Sequence, residues 1–99
     1  MKIPKIDYSP DESLTELFER NKEIVFDRFY ECISFGLENN IDDVFVFELG
    51  ETGFFLEANI ADWVVSLDCC ITYFSSIEEY EKCTNCKKLI DEIEQRTKG

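Results

Sequence analysis

From residue 29 to residue 81 this chain contains no lysine and no arginine, yet it contains twelve acidic residues. They are Glu31, Glu38, Asp42, Asp43, Glu48, Glu51, Glu57, Asp62, Asp68, Glu78, Glu79 and Glu81. This segment accounts for the whole formal charge of -12, because the ten remaining acids meet all ten bases in the flanking segments. A middle without bases has no ion pairs of its own to neutralise it. It costs stability through self-repulsion and steers cationic partners from a distance. An acidic surface also keeps a protein soluble, a reading that needs no partner.

That charge has to be arranged around a core. The hydrophobic fraction is 44%, with 14% aromatic and nine Phe, too apolar for a disordered chain. At 99 residues the expectation is one domain spanning 1–99. Such a domain has a radius of about 13 Å and buries roughly two-thirds of the surface of its unfolded chain.

Histidine is absent. The usual neutral-pH base, the commonest metal ligand and every Ser-His or Cys-His nucleophile are therefore missing. Direct nucleic-acid binding is disfavoured, since phosphate contacts need clustered Lys and Arg. The N-terminal run Met1-Lys2-Ile3-Pro4-Lys5-Ile6-Asp7 has no apolar stretch of signal-peptide type, and Asp68 interrupts the best apolar run, 63–74. The sequence thus predicts neither a signal peptide nor a membrane span, and a cytoplasmic protein whose five cysteines stay reduced.

Ser9-Pro10-Asp11-Glu12 reads as a helix start, with Ser9 as N-cap, Pro10 at the first helical position and Glu12 closing a capping box. The stop falls near 36–40. Between them Leu14, Leu17, Phe18, Ile24, Val25, Phe29, Cys32 and Ile33 recur at helical spacing, with Asn21 on the stripe as a point where one long helix could divide into two. Val44-Phe45-Val46-Phe47-Glu48-Leu49 and Phe54-Phe55-Leu56-Glu57-Ala58-Asn59-Ile60, separated by Gly50-Glu51-Thr52-Gly53, predict an antiparallel β-hairpin. Alternation puts Phe45, Phe47 and Leu49 on one face of the first strand, and Phe54, Leu56, Ala58 and Ile60 on one face of the second. Trp63, Leu67, Cys70, Ile71 and Phe74 sit at helical spacing behind a cap at Asn59 or Asp62. Val64, Val65, Cys69, Cys70, Ile71, Thr72 and Tyr73 are weak helix formers and leave a third strand open within 63–74. Ser76-Ile77-Glu78-Glu79 reads as a capping box for a last helix whose apolar face is Ile77, Tyr80, Cys83, Cys86, Ile90 and Ile93. The predicted fold class is α+β: a long N-terminal helix or two, a central antiparallel hairpin with room for a third strand, and a C-terminal two-helix hairpin.

Cys83-Thr84-Asn85-Cys86 with Cys69-Cys70 supplies the four thiols of a tetrahedral zinc site. One pair, however, is adjacent and the other lies inside a predicted helix, unlike the turn-borne pairs of zinc ribbons. A redox pair needs its first thiol at an exposed helix N-terminus. Cys83 and Cys86 instead continue an apolar stripe, as small buried hydrophobes do. Asp42-Asp43 and Glu78-Glu79 match no calcium loop, and the four glycines form no phosphate-cradling motif. The sequence therefore predicts no enzyme, no metal and no cofactor. Trp63 and Tyr80 are expected in the core, and Tyr73, off its helix's stripe, is expected at the surface, where aromatics anchor interfaces.

The run Ile71-Thr72-Tyr73-Phe74-Ser75-Ser76-Ile77-Glu78-Glu79-Tyr80-Glu81-Lys82-Cys83, continued by Lys88-Leu89-Ile90-Asp91, resembles the UVR-type helical hairpin of nucleotide-excision-repair and Clp-associated adaptor proteins, without that family's arginine before the aspartate. The resemblance implies a docking hairpin with Tyr80 and Cys83 inside it. In size, acidity and element order the chain is also similar to small phage-encoded inhibitors of bacterial defence, including Cas9-inhibiting anti-CRISPR proteins that imitate DNA. That similarity implies an acidic inhibitor of a basic nucleic-acid-binding protein.

Two functions are therefore expected. The first is a non-enzymatic binding module whose Asp42, Asp43, Glu48, Glu51, Glu57, Asp62, Glu78, Glu79 and Glu81 mimic phosphates toward a basic partner, with Tyr73 as an apolar anchor. The alternative is a structural or adaptor subunit that docks through its C-terminal helical hairpin. Neither expectation involves direct nucleic-acid or membrane contact, and the sequence leaves a homodimer open.

Overall fold

In the computed structural model, which describes residues 3–98, the chain runs β1 (Lys5–Ile6), α1 (Leu14–Arg20), α2 (Lys22–Glu38), β2 (Asp43–Leu49), β3 (Phe55–Asn59), α3 (Ile60–Ser76) and α4 (Tyr80–Lys98). Lys2, one of the ten bases, lies outside the described residues with Met1 and Gly99. The fold is α+β, four helices against a three-stranded mixed sheet of order β1-β2-β3. β1 pairs parallel with β2, and β2 antiparallel with β3. The Cα radius of gyration is 13.6 Å.

The helical region divides at Asn21. Its backbone leaves helical geometry there, and its side-chain amide donates to Leu17 O at 2.9 Å, competing with the ladder it interrupts. The first helix starts later than the capping box at Ser9 implies. Glu12 does accept from Ser9 N at 3.2 Å, but this closes an isolated turn, and Ser13 Oγ caps α1 by accepting from Glu16 N at 3.1 Å.

Hairpin and loop sit where the sequence puts them, but the core face of β2 differs. Val44, Val46 and Phe47 are buried, whereas Phe45 is 48% exposed. The cause is a β-bulge between Phe45 and Phe47, which sends two residues separated by one position to opposite faces. Arg28, buried in α2, holds the bulge by donating from Nε to Val46 O at 2.8 Å and from its guanidinium to Phe45 O at 3.3 Å. β1 pairs only with the far end of β2, so these carbonyls face no strand. Charge-assisted donors make good that loss.

Residues 63–74 are helical throughout, and the third strand is β1 instead. Asn59 caps α3, its side-chain oxygen accepting from Ala61 N at 3.0 Å. Trp63, Leu67, Cys70 and Phe74 form the buried stripe, whose burial outweighs weak local propensity. Trp63 is the centre of the core, with Nε1 donating to Ala58 O at 3.1 Å. Gly36 on α2 makes room for it, since a Cβ there would lie 2.6 Å from the indole.

Ser76 ends α3 rather than opening the last helix. In the connector 77–79, Glu79 N donates to Phe74 O at 2.8 Å and Glu78 N to Ser75 O at 3.1 Å, with Glu78 at φ 62°. This is a Schellman stop with glutamate in the left-handed position that glycine usually takes. α4 then packs back along α3 through Cys83, Cys86 and Ile93. Tyr80 and Ile77, expected inside, are 60% and 47% exposed, because the helix begins one turn later than the pattern implies. No helix of the described residues is long and apolar enough to cross a membrane.

Candidate functional site

Three sets of carboxylates emerge from the fold, and each sits at an element end. At the hairpin base, Asp42, Asp43 and Asp62 surround the strand ends and the start of α3. At the hairpin tip stand Glu48 and Glu51. In the α3–α4 connector and the turn after it stand Glu78, Glu79 and Glu81. α3 has 17 residues and so spans about 26 Å at 1.5 Å per residue, which holds the base and the connector at opposite ends of the molecule. The nine acids nominated from sequence therefore do not form one continuous patch. Glu57 stands apart from all three sets, exposed in the middle of β3.

The expectation that the acidic segment lacks ion pairs is corrected by the fold, which brings bases to it from both flanks. Lys5 on β1 lies 3.2 Å from Glu51 and 4.0 Å from Glu48. The hydrogen bond that Lys5 donates to the Glu51 carboxylate is the main cause that raises the Lys5 pKa. Arg96, in the last turn of α4, pairs with Asp42 at the hairpin base. Lys82, just past the segment, pairs outside it with Asp27 at 3.0 Å and lies over the Phe74 ring, 5.1 Å from its centroid. Sequence spacing hid these pairs because their partners lie far apart in the chain: 46 residues separate Lys5 from Glu51, and 54 separate Arg96 from Asp42. Even so, six carboxylates between Asp42 and Asp62 face two incoming cations among the described residues, and the hairpin stays negative. Asp43 accepts from Asn59 Nδ2 at 2.7 Å, a bond that ties the two strand ends together.

The outward face of the hairpin carries a feature that the pattern missed. Phe45 and Phe55 lie there with ring centroids 5.4 Å apart, 48% and 45% exposed, and Phe54, expected on the core face with Leu56 and Ala58, is 72% exposed because it lies ahead of β3. Glu57, directly across from Phe45, shares that face. Strict alternation assigned Phe45 to the core, and only the bulge reverses it. No pattern in the strand itself announces a bulge.

Tyr73, the expected surface anchor, is half-buried and stacks on Phe26 at 5.0 Å between centroids. It lines a groove of about 410 Å³ between α1–α2 and α3, with Phe18, Phe26 and Cys69. The remaining cysteines are internal. Cys83 Sγ donates to Ile71 O at 3.5 Å and Cys70 Sγ to Phe26 O at 3.6 Å, helix to helix. Burial raises the thiol pKa of Cys32 and Cys70, and pushes that of Cys86 up to about 11. Such thiols are poor nucleophiles and poor ligands. Among the described residues no group of three or more Cys, Asp or Glu side chains is placed to hold a metal ion.

Compared with protein-family models, curated proteins and solved structures, the chain matches none. Its function has to be argued from these surfaces.

Proposed function

We propose that this protein is a non-enzymatic acidic binding module, an inhibitor that occupies the basic surface of a nucleic-acid-handling protein with carboxylates in the place of phosphates. The observation that carries this reading is the hairpin. It has no base of its own, keeps most of its acids exposed after Lys5 and Arg96 have paired, and sets them around an exposed aromatic pair. Arginines of the partner would bind these carboxylates in bidentate fashion and fix the register. The Phe45–Phe55 pair would supply apolar contact, with long-range attraction raising the association rate. Glu57 and Glu51 are the leading contacts, because Glu57 is exposed and central while the Glu51 side chain keeps 88% of its surface despite Lys5.

The test is a pull-down from lysate washed in steps of rising salt. The expected outcome is a basic nucleic-acid-binding protein that elutes at moderate salt and is competed by DNA or RNA. Replacing Glu48, Glu51 and Glu57 together by lysine should abolish capture while circular dichroism stays unchanged, since all three lie on solvent-facing or rim positions. Capture that survives the triple change would overturn the hairpin as the site.

The adaptor reading keeps one supporting observation, the exposed Ile77 and Tyr80 at the turn of the α3–α4 hairpin. It requires binding that resists salt and is lost on replacing Ile77 and Tyr80 rather than the hairpin acids.

A further inference from the structure

β3 is the edge strand of the sheet, with β2 on one side of it. Ile60 N donates to Asp42 O at 2.8 Å and Leu49 N to Phe54 O at 2.8 Å, so the even-numbered residues of the strand turn their backbone groups toward β2. By the two-residue period of a strand, the N–H and C=O groups of Phe55 and Glu57 point away from the sheet. An edge of this kind is a template for another strand. Charge decides what can pair there. Glu57 sits at its centre and Asp43 beside it on the same face, and among the described residues no cation pairs with either. A second copy, itself at -12, would set like charges against these acids.

We propose that the β3 edge receives an extended basic segment of the partner protein as a fourth, antiparallel strand. Opposite Glu57 that segment carries lysine or arginine, and two residues further on, opposite Phe55, an aromatic or branched apolar residue that completes the Phe45–Phe55 cluster. The main chain supplies the affinity and the alternate side chains supply the selectivity. Five residues of β3 give about 17 Å of pairing. This inference rests on the reading of the hairpin as the partner site and adds to it that the contact is a backbone ladder rather than scattered ion pairs.

The probe is a capped synthetic peptide of the pattern threonine-lysine-valine-phenylalanine-lysine, titrated by NMR against the full chain. Its control is the same peptide N-methylated on alternate amides, which keeps every side chain and charge but cannot form the ladder. The expected result is that N-methylation weakens binding at least about tenfold, and that only the unmodified peptide slows amide exchange at Phe55 and Glu57. The variant Glu57→Pro should lose several-fold more binding than Glu57→Gln, which removes only the charge, because proline also removes an outward N–H that the sheet does not use. If that variant melts early, the N-methyl comparison alone decides. Equal binding by both peptides would overturn the strand-addition proposal and leave the acidic-module reading standing. Failure of both peptides to bind would overturn both.

Discussion

Buried thiols are the residues whose roles the fold settles most directly. Cys32, Cys70, Cys83 and Cys86 lie in the core, whereas Cys69 is exposed at the groove beside Tyr73. For Cys32, Cys70 and Cys86 desolvation is the first cause of a raised pKa. A raised folded value means that the unfolded chain loses these protons first. Their contribution to stability is therefore complete below the ordinary thiol value of 9.0 and is lost as pH climbs toward and through the folded values, about 11 for Cys86. Melting temperature should hold up to about pH 8 and fall steeply from about pH 9 upward, with Cys86→Ala showing a shallower alkaline decline than the wild type. Thermal melts across that window check it, and parallel alkaline slopes in the two proteins would remove the thiols as the cause. The stripe that placed Cys83 and Cys86 inside was legible because helical spacing reports burial directly. The exposure of Tyr80 was not, since the stripe cannot show where a helix begins.

Among the elements, the connector between α3 and α4 is the one built against local preference. Glu78 takes the left-handed conformation at φ 62°, which costs a residue with a side chain about 1–2 kcal/mol relative to glycine. Glu78→Gly should therefore raise stability by about 1 kcal/mol, part of the gain being offset by the greater freedom of glycine in the unfolded chain. Chemical denaturation with an unchanged slope checks it, and a loss of stability would mean that the Glu78 side chain supports the turn. The elements were legible where hydrophobic period, turn residues and caps agreed, as in the hairpin loop with its two positive-φ glycines and the division at Asn21. They were not where two starts competed. Ser9 and Ser13 each head a plausible first turn, and Ser76 could end one helix or open the next. Packing decided these, in favour of burying Leu17 and Phe74. The short parallel β1 had no local signal at all, because two residues show no alternation.

For the molecule as a whole, the dominant quantity is a net charge of -12 spread over extents of 39 × 30 × 21 Å. At an ionic strength of about 0.01 M the screening length is about 30 Å, so most of these charges repel one another across the protein. At about 0.15 M it shrinks to about 8 Å, and only neighbours interact. Added salt should therefore raise the melting temperature while weakening capture of a basic partner. Melts and binding in the same salt series check this, and a melting temperature that falls with salt would make the pairs of Lys5, Lys82 and Arg96 the stronger influence. The size of the charge was legible in the sequence, but its distribution was not. Only the fold carries Lys5 and Arg96 to the two ends of the hairpin and separates the carboxylate sets by the length of α3.

The bulge in β2 also bears on how a chain like this can vary over generations. One extra residue between Phe45 and Phe47 turns the first aromatic outward and the second inward, and Arg28 holds that offset in place. Substitutions along the hairpin change one face at a time. Losing or gaining a single codon at the bulge would turn part of the strand over, trading buried side chains for exposed ones in one step. Lineages of this protein should therefore keep the length of the hairpin constant even where residue identities along it change.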